Sequence, residues 1–147
     1  VAFREAADPS FAGYAQQIVK NSQALAESLI SQGFRLVSGG SDNHLLLIDL
    51  RSFDSELTGK EAQIALDLAG ITLNKNTVPD DQRSPFVTSG LRIGTPSVTT
   101  QGMAEPEMTQ IAELITRVLA APSDESVIAE VRGDVELLCS KFTPYPL

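Results

Sequence analysis

Phe11, Ala15, Ile18, Ser22, Leu25 and Leu29 recur at alternating spacings of four and three. That rhythm keeps one set of side chains on one side of a 3.6-residue helix, so it predicts a long helix from about Pro9 to Ile30 with a single buried stripe. Gly33 is placed to end it. A helix of this kind draws most of its stability from burying the stripe, not from propensity. The rest of the chain must therefore supply a partner layer.

The following residues provide one. Phe34-Arg35-Leu36-Val37 and His44-Leu45-Leu46-Leu47-Ile48-Asp49-Leu50 read as a hairpin around the turn Ser38-Gly39-Gly40-Ser41-Asp42-Asn43, the second strand buried on both faces. Thr58-Gly59-Lys60-Glu61 is a capping box that opens a helix running to about Ala69. Ile71-Thr72-Leu73-Asn74 reads as a strand, and Lys75 to Ser89 as an irregular, polar segment too long to be mere connection. Leu91-Arg92-Ile93 is a short strand between Gly90 and Gly94, after which Thr95-Pro96 is expected in extended geometry. Two helices follow. Pro106 suits a first helical position ahead of Met108, Ile111, Ala112, Ile115, Val118 and Leu119, and Pro122-Ser123-Asp124-Glu125 opens a helix with Val127, Ile128, Val131, Val135 and Leu138 on one face. The sum is an α+β layer: a small, mostly antiparallel sheet with helices on one side.

At 147 residues the chain can bury a core without disulfides or a structural metal. Eleven basic against nineteen acidic residues give a net charge of −8, and no Lys/Arg cluster stands out, which argues against a nucleic-acid surface. No apolar stretch approaches the roughly 20 residues that span a bilayer, and with no charged-then-apolar run at the start neither membrane spanning nor export is expected. The single cysteine, Cys139, beside Leu137, Leu138 and Phe142, reads as a buried small hydrophobe in a reducing compartment, so a cytoplasmic location is expected. Val1 to Ala7 reads as helix with neither an initiator Met nor a cap, as in a fragment beginning within a linking helix of about residues 1–31.

Arg92 is the first candidate for chemistry. With Leu91 and Ile93 on one face of their strand it lies on the other, where a guanidinium can grip a carboxylate through two parallel hydrogen bonds. The alternative is a solvated or structurally paired arginine on an edge strand. The segment from Asn74 to Phe86, with its amides, hydroxyls and two prolines, would suit a heteroaromatic ligand, or it is only turn chemistry. His44, the sole histidine, reads as a hydrogen-bonded structural residue because no nucleophile motif or metal-ligand spacing accompanies it. Asp80 and Asp81 read as solvated, no phosphate-cradling glycine loop is present, and no metal is expected.

Four ordered motifs bring these readings together: Val37-Ser38-Gly39-Gly40-Ser41-Asp42-Asn43-His44, Leu57-Thr58-Gly59-Lys60-Glu61-Ala62, Asn74-Lys75-Asn76-Thr77-Val78-Pro79, and Ser84 through Pro96. In them the chain resembles serine hydroxymethyltransferase over essentially its whole length, corresponding to about the last third of that family's protein. The resemblance implies the C-terminal small domain of an aspartate-aminotransferase-like (fold type I) pyridoxal-phosphate enzyme, with residues 1–147 as one domain and the large cofactor domain absent. It implies interconversion of serine plus tetrahydrofolate with glycine plus 5,10-methylenetetrahydrofolate, in a homodimer or homotetramer. It matches Arg92 to the arginine that holds the amino-acid carboxylate, and Asn76, Ser84, Pro85 and Phe86 to positions lining the folate pocket.

The family's Schiff-base lysine follows a run of threonines and a histidine, a context that none of Lys20, Lys60, Lys75 and Lys141 has. No catalytic residue is therefore expected in this chain, and the chain alone is expected to be inactive. Where the family commonly has Arg-Gly and an aromatic after Thr99-Thr100, this chain has Gln101-Gly102-Met103, a departure that touches local packing. Two other readings stay open: a free-standing ligand-binding or interaction module of the same fold, and the small domain of a related pyridoxal-phosphate aldolase or transaminase.

Overall fold

The computed structural model describes residues 1–142; residues 143–147, the end of the expected domain, lie outside the described residues. In chain order the elements are helices α1 (Ala2–Ala6) and α2 (Ser10–Ser31), strands β1 (Arg35–Leu36) and β2 (Leu45–Asp49), helix α3 (Gly59–Leu68), strands β3 (Asn74–Asn76) and β4 (Gly90–Gly94), and helices α4 (Pro96–Thr100), α5 (Glu105–Ala120) and α6 (Glu125–Cys139). The predicted linking helix is broken. Pro9 has no amide to donate to the Glu5 carbonyl, so α1 stops at Ala6 and α2 begins afresh at Ser10.

The four strands form one antiparallel sheet in the order β1-β2-β4-β3. Registered partners share a face, so Leu36, Leu46, Ile48, Leu91 and Ile93 project together. They join Leu25 and Leu29 of α2, Leu66 of α3, and Met108, Ile115 and Leu119 of α5 in one core. Each such leucine or isoleucine, fully buried, contributes about 1.5–3 kcal/mol of transfer free energy. The helices thus cover one face only, the predicted α+β layer. The other face carries Arg35, Leu45, Leu47, Arg92, Asn74 and Asn76, with Leu45 38% exposed, so β2 is not buried on both faces as its run of apolar residues suggests.

Helix α2 ends as the sequence predicts, with Gly33 at φ +94° and the Phe34 amide reaching back to the Leu29 carbonyl. The same closure explains a misplaced strand. The Ile71 amide is drawn back to the Leu66 carbonyl, so residues 71–73 descend from α3 as irregular chain, and pairing with β4 begins only at Asn74. The expectation for Thr95 also fails. It sits at φ −102°, ψ −6°, held by its amide on the His44 carbonyl and its hydroxyl on the Ile18 carbonyl, and it opens the unforeseen short helix α4. Cys139 is exposed: α6 buries Ile128, Val131 and Leu138, and one residue past Leu138 the helix has turned Cys139 outward. At the departure near residue 101, Met103 is buried in the core.

Candidate functional site

The loop at residues 77–89 leaves β3 after Asn76 and returns to the sheet at Gly90, two positions before Arg92. Its feet are fixed by close packing. Helix α3, capped by the predicted reciprocal bonds between Thr58 and Glu61, points the Gly59 and Lys60 amides at the Thr88 and Val87 carbonyls, each at 3.0 Å. A side chain on Gly59 would strike the Thr88 hydroxyl and the Gly90 carbonyl. One on Gly90 would lie 2.5 Å from Val78 Cγ1 and 2.6 Å from the Ile48 carbonyl. Only glycine lets helix, loop and strand meet this closely.

Three further side chains brace the loop, and the sequence reading missed all three. Asp81 accepts from the amides of Val78 (3.3 Å), Arg83 (3.0 Å) and Ser89 (2.9 Å) and from the Ser89 hydroxyl (2.7 Å). Arg83 donates to the carbonyls of Ser55, Glu56 and Leu57. Arg51 reaches the Pro79 and Asp80 carbonyls while its guanidinium is paired at 2.8 Å with Asp49, whose side chain is 3% exposed. The Arg51 hydrogen bond holds the Asp49 carboxyl below the usual carboxylate range against the opposing effect of burial. Asp81 is therefore no solvated neighbour of Asp80. Asp80 takes a left-handed turn at φ +56° and is exposed, whereas Asp81 faces into the loop. Turn chemistry around an aspartate is readable in the sequence, but the bond across the loop to Ser89 is not.

Arg92 stands on the open face of the sheet, registered with Leu47 on β2 and Asn74 on β3. Asn76, opposite Gly90, lies on the same face as a diagonal neighbour, at a separation of about 7–8 Å. The structure thus brings Arg92 and Asn76 together. The Arg92 side chain is exposed and makes no hydrogen bond or ion pair among the described residues, in contrast to that of Arg35 on the edge strand β1, which sits 3.7 Å from Asp49. On the side away from the loop Arg92 lines a depression of about 360 Å³ together with Leu45, Thr72, Leu73, Asn74, Ile93 and Gly94.

Ser84, Pro85 and Phe86 form the exposed tip of the loop and do not line that depression. The Ser84 carbonyl accepts from the Val87 and Thr88 amides, and Phe86 is 83% exposed. The Asn76 amide group donates to the Thr77 carbonyl at 2.7 Å. His44 is exposed, and among the described residues it is its carbonyl, bound by Thr95, that makes a hydrogen bond, not its imidazole. Among the described residues no three of His, Cys, Asp and Glu gather as a metal site, and no helix is long and apolar enough to cross a membrane.

A four-strand antiparallel sheet with helices packed on one face agrees with the C-terminal domain of a fold type I enzyme. The family model described as serine hydroxymethyltransferase matches residues 1–115. The serine hydroxymethyltransferase of Xanthomonas oryzae pv. oryzae (strain PXO99A) is 52% identical over 145 residues, covering 99% of this chain and 34% of that protein. That of Halorhodospira halophila (strain DSM 244 / SL1) is 54% identical over the same shares of each chain. The chain belongs to the serine hydroxymethyltransferase family, and it spans about a third of the length of the curated relatives it matches.

Proposed function

We propose that this chain is the single C-terminal small domain of a cytoplasmic serine hydroxymethyltransferase. In that assignment it supplies the arginine that holds the amino-acid substrate and part of the surface that receives tetrahydrofolate. The whole protein interconverts serine plus tetrahydrofolate with glycine plus 5,10-methylenetetrahydrofolate and works as a homodimer or homotetramer. The observation that carries the reading is Arg92, a guanidinium on a paired central strand that meets no carboxylate among the described residues.

A carboxylate arriving on the open face would meet a charge fixed by the sheet, and a bidentate grip would set the direction of the bonds at the amino acid's Cα. Asn76, one diagonal step away, offers amide hydrogen-bonding groups. The braced tip Ser84-Pro85-Phe86 adds an aromatic face suited to a flat heteroaromatic ring.

Pyridoxal phosphate, which the family employs, finds no fit among the described residues. Lys20, Lys60 and Lys141 are exposed, Lys75 is half-buried on a strand whose amide bonds Gln63, and no glycine-rich anion loop faces any of them. Its binding belongs to a large domain outside this chain, where the cofactor would act as an electron sink for the substrate carbanion.

The assignment is tested on the full-length protein by titration calorimetry with glycine and with tetrahydrofolate. Arg92→Ala is expected to weaken glycine binding by about a hundredfold, the loss of a charge-assisted bidentate pair. Asn76→Ala is expected to weaken tetrahydrofolate binding while glycine binding stays intact. Unchanged glycine binding in Arg92→Ala would make that arginine structural.

A further inference from the structure

The tip Ser84-Pro85-Phe86 is exposed, and its described hydrogen bonds are the two that the Ser84 carbonyl accepts. A phenyl ring 83% exposed is not held by packing. What holds the tip is the chain on either side of it, and there the bonds converge on Asp81. One carboxylate oxygen takes the Arg83 amide, at the foot just before the tip, and the Ser89 hydroxyl, after it. The other takes the Ser89 amide and, at the start of the loop, the Val78 amide. Both oxygens are thus fully used, and one carboxylate ties together three points along residues 78–89. Arg83, whose amide is one of those points, fastens the same foot to the carbonyls of residues 55–57.

We propose that Asp81 is a positioning residue for the folate-side loop: by gathering four donors from both ends of residues 78–89, it holds the Ser84-Pro85-Phe86 tip ready for tetrahydrofolate before the ligand arrives. This rests on the reading of the tip given above. Asp81 acts through the loop and not on the ligand. A loop already ordered loses little conformational freedom on binding, so the gain appears in the affinity of the ligand the tip meets and nowhere else. An amide at this position would turn an NH2 group toward two donors, leaving N–H facing N–H and the tip loosened.

The test uses the full-length enzyme and three variants. Asp81→Asn is expected to raise the KM for tetrahydrofolate by about tenfold, several times more than kcat falls, with the glycine Kd within about twofold of wild type. Ser89→Ala, which keeps the carboxylate and removes one of its four donors, gives a smaller rise of about two- to fourfold and guards against a folding failure in the first variant. Phe86→Ala checks the tip itself. If it weakens tetrahydrofolate binding while Asp81→Asn and Ser89→Ala do not, the positioning role is overturned and the folate reading of the tip stands. If Phe86→Ala has no effect, the folate reading falls and the proposal with it. Loss of glycine and tetrahydrofolate binding in equal measure in both Asp81→Asn and Ser89→Ala would make Asp81 a general structural residue and would also overturn it.

Discussion

Asp81 sits under two opposed influences. Burial acts to raise its pKa, but the hydrogen bonds from Ser89, Arg83 and Val78 outweigh it and hold the carboxyl below its ordinary value. A carboxyl depressed by folding contributes stability that is present above its unfolded pKa, near 4, and is lost as pH falls through the folded value. The loop is therefore expected to stay braced from neutral pH down to about pH 4 and to loosen below it. Hydrogen exchange at the Ser89 amide, corrected for its intrinsic rate, reports this directly: protection steps down on acidification in wild type, while Asp81→Asn begins low and shows no step. At this scale the sequence was legible only in part. Arg92 was placed on the correct face by strand alternation alone, whereas Asn76 was singled out only through the resemblance, as a folate-pocket position, and its place beside Arg92 comes from the pairing of β3 with β4. Two adjacent aspartates give no sign of which one turns inward, because that is decided by the left-handed backbone at Asp80 and by partners eight residues away in sequence.

Helix α3 shows what an element owes to its first turn. The Thr58 and Glu61 side chains satisfy each other's backbone amides, leaving the Gly59 and Lys60 amides to hold the loop carbonyls of Thr88 and Val87. Thr58→Ala is expected to cost about 1 kcal/mol in denaturant unfolding. Because the same turn anchors the loop, tetrahydrofolate binding in the full-length protein should weaken measurably as well, which a loss confined to the helix would not produce. Features of this kind read well from sequence because they are local, as with the capping box, the glycine after α2 and the spacing of the apolar stripes, although Phe11, at the start of the α2 stripe, is exposed and the buried part of that helix begins only at Asn21. Strand β3 was misplaced because its position depends on pairing with β4 more than a dozen residues later, and the apolar Ile71 and Leu73 are spent on packing against the core instead. Helix α4 was hidden by Thr95, whose bonds to Ile18 and His44 override the usual preference before proline.

At the scale of the molecule, the helices bury one face of the sheet and leave the other largely open, apart from Asp49, which pairs with Arg51 and Arg35. That open face holds Arg92, Asn74 and Asn76 next to Leu45 and Leu47. A carboxylate held by one exposed arginine has its charge screened by water and no second wall to fix its orientation. Its four lysines lie on α2, α3, β3 and just past α6, with Lys75 registered opposite the core-facing Leu91, and the chain spans about a third of its curated relatives. The isolated chain, supplied with pyridoxal phosphate, serine and tetrahydrofolate, is therefore expected to give no turnover above the protein-free control in an assay for methylenetetrahydrofolate. Its glycine affinity should be at least a hundredfold below that of the full-length protein, because the charge-assisted grip of Arg92 would have to work in open solvent. Turnover by the isolated chain would mean that some lysine in it can be recruited to the open face. Glycine bound as tightly as in the full-length protein would mean that this face needs no second wall.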